Sequence, residues 1–201
     1  MRLIIIVLTV LRFTMSTVEA GIISGLYYSG TDGQNKSYVS QGRTEVIQPG
    51  VDGFLISTQS VGSRVNISMT NFTMVPAEDY RWVYLDFSIG NDQPLSTGKY
   101  SKATRHPFNE VGTPGLSFVM DGRGNNTLTG EFEILEITRS PFDGSLQKFA
   151  ADFVQRGDNK VPEFGSVRFN SEIPFTTVPE PSTASLLVLS LLVRMLCKRV
   201  V

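Results

Sequence analysis

The stretch Arg81-Trp-Val-Tyr-Leu-Asp-Phe-Ser-Ile89 decides the fold class. Val83, Leu85, Phe87 and Ile89 fall on one side of it, and Trp82, Tyr84, Asp86 and Ser88 on the other. A strict period of two is the mark of a half-buried β-strand, since successive side chains point to opposite faces. The same alternation recurs on both sides. In Arg64–Met69 the apolar set is Val65, Ile67 and Met69, and in Leu128–Thr138 Phe132 and Ile134 alternate with Glu131 and Glu133. Phe149, Ala151 and Phe153 alternate with Ala150, Asp152 and Val154 in Lys148–Gln155, and Val167 and Phe169 with Ser166, Arg168 and Asn170 in Gly165–Ile173. Ser37–Ile47, Phe54–Gln59, Tyr100–Thr104 and Leu116–Met120 are weaker strand candidates. Pro49-Gly50, Asp52-Gly53, Asp121-Gly122 and Asp143-Gly144 supply turns between them. About nine short strands with no long 3.6-residue period predict an all-β domain, an antiparallel β-sandwich of jelly-roll type.

Composition sets limits on function. The chain has 201 residues, enough for one well-filled core, with 18 Lys+Arg against 19 Asp+Glu. That balance argues against nucleic acid as a partner. One cysteine and one histidine leave little for a disulfide framework, a metal centre or a Ser-His-Asp triad, so neither metal nor cofactor is expected and the protein reads as a non-enzyme. The two ends are unlike the middle. Residues 1–20 read as a secretory signal peptide: Arg2, the apolar run Leu3–Leu11, and Val18-Glu19-Ala20 with small residues at −3 and −1 for cleavage. Five of the 18 basic and two of the 19 acidic residues lie in the ends, which leaves 13 against 17 and a net charge of −4 for 21–178.

At the other end stands PEPSTASLLVLSLLVRMLCKR (179–199). Pro179 and Pro181 keep the backbone extended around Glu180. Ser182 or Thr183 can cap the apolar helix that follows, and Lys198 and Arg199 stay on the cytoplasmic side. Arg194 interrupts the apolar run and can snorkel to the inner interface. In order and spacing these residues resemble the PEP-CTERM sorting signal of bacterial surface and matrix proteins, with Pro179, Glu180 and Pro181 as the motif and Arg194, Lys198 and Arg199 as the basic tail. The resemblance implies a transient inner-membrane anchor over 179–201. It also implies removal of the tail by an exosortase-type membrane transpeptidase, then passage to the cell surface or the extracellular matrix. An uncut tail anchor is the other reading.

Residues 115–155 and 164–171 resemble a secreted bacterial β-sandwich module of uncharacterised function. The quoted features are Gly122-Arg123-Gly124-Asn125-Asn126, Phe149-Ala-Ala-Asp-Phe153 and Gly165-Ser-Val-Arg-Phe-Asn-Ser171. Asn125 and Gly157 stand where that module often has two cysteines, which the resemblance implies form one disulfide.

Few residues suggest chemistry. Glu131 and Glu133 share a strand face at about 7 Å, a spacing seen in inverting glycosidases, but also that of any solvated strand. Asp152, inside an apolar strand, can pair with Arg168 or Arg123, or contact a sugar hydroxyl or calcium. The loop Asp121–Asn126 can be an anion or calcium loop, or a tight hairpin. His106 before Pro107 reads as an exposed loop residue without a partner. Asn35, Asn66, Asn71 and Asn125 begin glycosylation triplets that occur by chance in a bacterial chain. Tyr27, Tyr28, Tyr38, Tyr80, Trp82 and Tyr84 are the candidate exposed aromatics. Trp82 and Tyr84 either stack a sugar on an open face or are core under a covering layer.

The predicted function is thus a structural or adhesive surface or matrix protein that contacts polysaccharide, with a polysaccharide-active enzyme as the alternative. Glu180→Ala is expected to leave full-length protein in the membrane fraction. Immunoblotting of fractionated cells checks this, and unchanged processing would remove the exosortase as reader.

Overall fold

The computed structural model describes residues 21–90 and 93–177. The expected signal peptide and the expected sorting segment, with Pro179, Glu180, Pro181, Arg194, Lys198 and Arg199, lie outside the described residues. Among those described, no helix is long and apolar enough to cross a membrane.

Among the described residues there are ten strands: β1 (Ile23–Gly30), β2 (Thr44–Ile47), β3 (Leu55–Val61), β4 (Arg64–Thr70) and β5 (Trp82–Ile89), then β6 (Gly98–Arg105), β7 (Pro114–Met120), β8 (Thr129–Arg139), β9 (Leu146–Arg156) and β10 (Pro162–Ser171). They make one hydrogen-bonded sheet in the order β2-β1-β10-β9-β8-β6-β7-β5-β4-β3. The all-β expectation holds. The antiparallel one needs a correction, because β6 and β7 run parallel through Thr104–Gly115 and Arg105–Leu116. Parallel neighbours usually need a long crossover. Here only the end of β6 overlaps the start of β7, so the loop 106–113 is long enough.

The sheet curls until its inward faces meet. Phe87 of β5 lies 5.2 Å from Phe132 of β8, and 5.5 and 5.9 Å from Phe149 and Phe153 of β9, measured between ring centroids. Phe118 of β7 lies 5.6 Å from Phe153 and 5.9 Å from Tyr28 of β1. These rings join strands that are not ladder neighbours. They form the centre of a core that also holds Leu26, Val65, Ile67, Met69, Val83, Leu85, Leu116, Ile134 and Val167. A Cβ on Gly165 would run into the Phe153 ring, so glycine is what allows that ring to lie against β10.

A polar bridge crosses the same interior. The buried Gln155 amide donates to the Phe118 carbonyl (3.2 Å) and to Glu163 Oε2 (2.8 Å), and accepts from Phe118 N–H (3.1 Å). The buried Glu163 Oε1 accepts from the N–H groups of Val39 (2.8 Å) and Ser40 (2.9 Å) and from the Ser40 hydroxyl (3.1 Å). Those donors offset the cost of burying a carboxylate. They also correct the reading of Ser37–Ile47 as one strand: Val39 and Ser40 give their N–H groups to Glu163 rather than to a neighbouring strand, and only Thr44–Ile47 is paired.

β1 was not among the expected strands. Gly25, Leu26, Tyr27 and Tyr28 are buried in succession, so it shows no alternation to read. Tyr27 and Tyr28 are accordingly not exposed aromatics, at 7% and 0% accessibility. Burial, followed by hydrogen bonding to Glu45, pushes the Tyr28 phenol up and keeps it neutral. Phe87→Ala should lower the unfolding free energy by about 3–5 kcal/mol in urea titrations. Phe142→Ala, at a residue 97% exposed, should change it by less than about 0.5 kcal/mol.

Candidate functional site

The outward row of β5 is Trp82, Tyr84, Asp86 and Ser88. Register places Thr70, Ser68, Asn66 and Arg64 of β4 beside it on one side, and Val119, Ser117 and Gly115 of β7 beside Tyr84, Asp86 and Ser88 on the other. Ser57 and Gln59 of β3 extend the same face. The result is a sheet surface of hydroxyls and amides with one aromatic pair in it. The Trp82 and Tyr84 rings are 5.0 Å apart at 45°. Tyr84 is 39% exposed and Trp82 half-buried, so among the described residues no second layer covers them and the core reading does not hold. Among the described residues, neither the Trp82 indole N–H nor the Tyr84 hydroxyl has a hydrogen-bond partner. Asp86 is held by Arg64 Nε and Nη2 (2.9 and 2.6 Å) and by Asn66 Nδ2 (2.9 Å), all on Oδ1.

His106 stands at the far end of this row and is not a partnerless loop residue. Its Nδ1 lies 2.9 Å from the buried Ser88 hydroxyl, and that hydroxyl is 3.5 Å from Asn109 Oδ1. Asn109 is fixed in turn by donating to the Thr113 carbonyl (2.8 Å). The signal that sequence reasoning missed is the outward parity of Ser88, which aims its hydroxyl at whatever the next loop lays on the face.

The second expected site gathers on the outer face of β8, β9 and β10. Glu133 is paired in register with Asp152, and both line a pocket of about 210 Å³ with Glu131, Lys99 and Phe164. Asp152 takes a hydrogen bond from Arg168 Nη1 at 3.0 Å, while Arg123 reaches Asp121 and the Val39 carbonyl instead. Arg168 is fully buried although it points outward, because residues 172–176 fold back over β10. Its Nε donates to the carbonyls of Ile173 and Pro174 (both 3.0 Å), its Nη2 to Pro174 (2.7 Å), and Thr176 N–H donates to Ser166 Oγ (3.0 Å). This strap has no counterpart in the periodicity of β10. The pocket is smaller than the roughly 300–1,000 Å³ of most small-molecule sites.

Asp121-Gly122 is a two-residue hairpin turn with φ of 49° and 79°, closed by hydrogen bonds in both directions between Met120 and Arg123. Asp121 Oδ1 accepts from Trp82 N–H (3.0 Å), and Oδ2 lies within 3.6 Å of Arg43, Arg81 and Arg123. Burial disfavours the Glu45 carboxylate, but its two hydrogen bonds from Arg81 hold it below the ordinary range. Asn125 and Gly157 are in direct contact: a Cβ on Gly157 would occupy the Asn125 amide. Among the described residues no group of three His, Cys, Asp or Glu side chains could hold a metal ion.

No protein-family model, curated protein or solved structure matches the chain.

Burial, aided by Arg64, pushes the His106 imidazole below its ordinary value of 6.5, against opposing effects of Asp86 and Asn109. The folded state therefore binds this proton less readily than the unfolded chain. Its contribution to stability is complete above pH 6.5 and is lost as pH falls through 6.5 toward the lower folded value. Thermal melts between pH 7.5 and 5.5 should show a decline of at most about 1.4 kcal/mol per pH unit from this group. His106→Gln should flatten it.

Proposed function

We propose that the chain is an exported bacterial surface or extracellular-matrix protein with a structural or adhesive role, and that the outer face of β5 binds polysaccharide. On this reading the two halves of the curled sheet serve as the layers of a jelly-roll-like sandwich. The PEP-type tail delivers the domain through an exosortase at the inner membrane.

The observation that carries the binding role is the uncovered Trp82–Tyr84 pair among Thr70, Ser68, Asn66 and Ser57. A sugar ring has an apolar face of C–H groups and a rim of hydroxyls. An aromatic platform takes the first, and the surrounding side-chain hydroxyls and amides take the second. The free indole N–H and phenol hydroxyl add two more donors at the same place. A long, open face suits a polymer strand better than a small molecule.

A second reading, a polysaccharide-active enzyme, draws on the pocket that brings Glu131, Glu133 and Asp152 together. The ion pairs of Glu133 with Lys99 (3.7 Å) and of Asp152 with Arg168 (3.0 Å) favour a structural role for those two carboxylates.

One screen separates the readings: the full chain in detergent, assayed on a panel of polysaccharides for retention and for new reducing ends. Retention without cleavage is expected, weakened about tenfold by Trp82→Ala or Tyr84→Ala with unchanged circular dichroism. Retention indifferent to both substitutions would overturn the platform. Cleavage lost in Glu131→Gln or Glu133→Gln would establish the enzyme instead.

A further inference from the structure

The turn region Asp121–Asn126 follows β7 and is not part of the outer face of β5. Its second half lies where the loops 31–43, 121–128 and 157–161 meet. Asn159 Nδ2 donates to the Lys36 carbonyl (3.0 Å), Arg123 Nε to the Val39 carbonyl (3.1 Å), and Asp158 accepts from the N–H groups of Asn126 (3.2 Å) and Thr127 (2.8 Å). Between these loops is a pocket of about 350 Å³ lined by Tyr38, Gly124, Asn125, Asn126, Asp158 and Asn159.

Asn125 is the informative residue. It is only 8% exposed, it lines the pocket, and among the described residues its amide has no hydrogen-bond partner. Its amide atoms are not sealed inside the protein but reach the surface of the pocket, so two donors and one acceptor are open to whatever fills it. The missing side chain at Gly157 provides the room in which that amide sits. Tyr38, 49% exposed, offers a ring, and the exposed Asn126 offers a second unpaired amide. Hydrogen bonds from Thr127 hold the Asp158 carboxyl below the usual range, so it is an acceptor at neutral pH.

The lining has no lysine or arginine and one carboxylate, which disfavours an anion. It calls for a ligand with hydroxyls that both donate and accept and with an apolar face for Tyr38. Its volume, at the low end for small-molecule sites, suits a single ring rather than a strand. We propose that this pocket, bounded by Tyr38, Asn125, Asn126 and Asp158, is a second saccharide site that takes one neutral sugar unit, independently of the Trp82–Tyr84 face. A domain with two such sites would hold two glycan segments at once, and avidity would exceed either affinity.

The test is a titration of the full chain, isotopically labelled and in detergent micelles, with the methyl glycosides of glucose, galactose, mannose, rhamnose and N-acetylglucosamine. Saturable shifts of the Asn125 side-chain amide and the Tyr38 ring are expected for at least one sugar, with affinity around 1 mM. The Tyr38 ring shifts should vanish in Asn125→Ala, and the Asn125 amide shifts in Tyr38→Ala. Both should vanish in Gly157→Ala, which puts a methyl group where the amide lies, and persist in Trp82→Ala. Unchanged melting temperatures for the variants keep the comparison valid. Absence of saturable shifts for all five sugars overturns the proposal, as does a response to ammonium or calcium ions alone. Shifts confined to Trp82 and Tyr84 also overturn it while leaving the outer-face reading intact.

Discussion

Everything in this domain depends on the contact of Phe87 with Phe132, Phe149 and Phe153. Ten strands joined edge to edge could remain an open twisted ribbon, with one apolar face in water. The rings supply the reason to close. Each buries a large apolar area and prefers tilted or edge-to-face neighbours, which is the arrangement found here. Once β5 has met β8 and β9 across the interior, the outward parity of Trp82 and Tyr84 follows from the inward parity of Val83, Leu85 and Phe87. The proposed binding face is the reverse side of the core.

Much of this was legible in the alternation. Val83, Leu85 and Phe87, Phe132 and Ile134, and Phe149, Ala151 and Phe153 are all inward and buried, as period two requires. What alternation could not show is cover on the outside of the sheet. Tyr27 and Arg168 point outward and are nevertheless buried, Arg168 because the chain returns over it. Nor could local pattern place a long-range polar partner. Val39 and Ser40 look like strand residues until Glu163, far along the chain, takes their N–H groups. His106 failed for a related reason: its partner is Ser88, which belongs to the face and not to its own loop. For Asp152, sequence left Arg168 and Arg123 open; strand register decides for Arg168.

The buried Glu163–Gln155 bridge links core to loops. It fastens loop 31–43 to β10 and, through Phe118, to the opposite half of the sheet. Asp158 fastens the 121–128 loop to the turn after β9 in the same manner. Loops that carry binding groups are usually the mobile part of a fold. Here each is held by side chains rooted in strands or turns, so Tyr38, Asn125 and Asn126 present their groups already arranged.

Arg168 has a mechanical consequence. Its guanidinium joins the carbonyls of Ile173 and Pro174 to Asp152 and to the Ala151 carbonyl of β9. Tension applied to the chain beyond residue 177 therefore reaches Arg168 and Ser166 before it reaches the end of β10. The load enters at the middle of a strand flanked by β1 and β9, where many backbone hydrogen bonds must shear together, instead of unzipping one at a time from a free end. A domain hung by its C-terminal side would bear force through a strand that is paired along both edges.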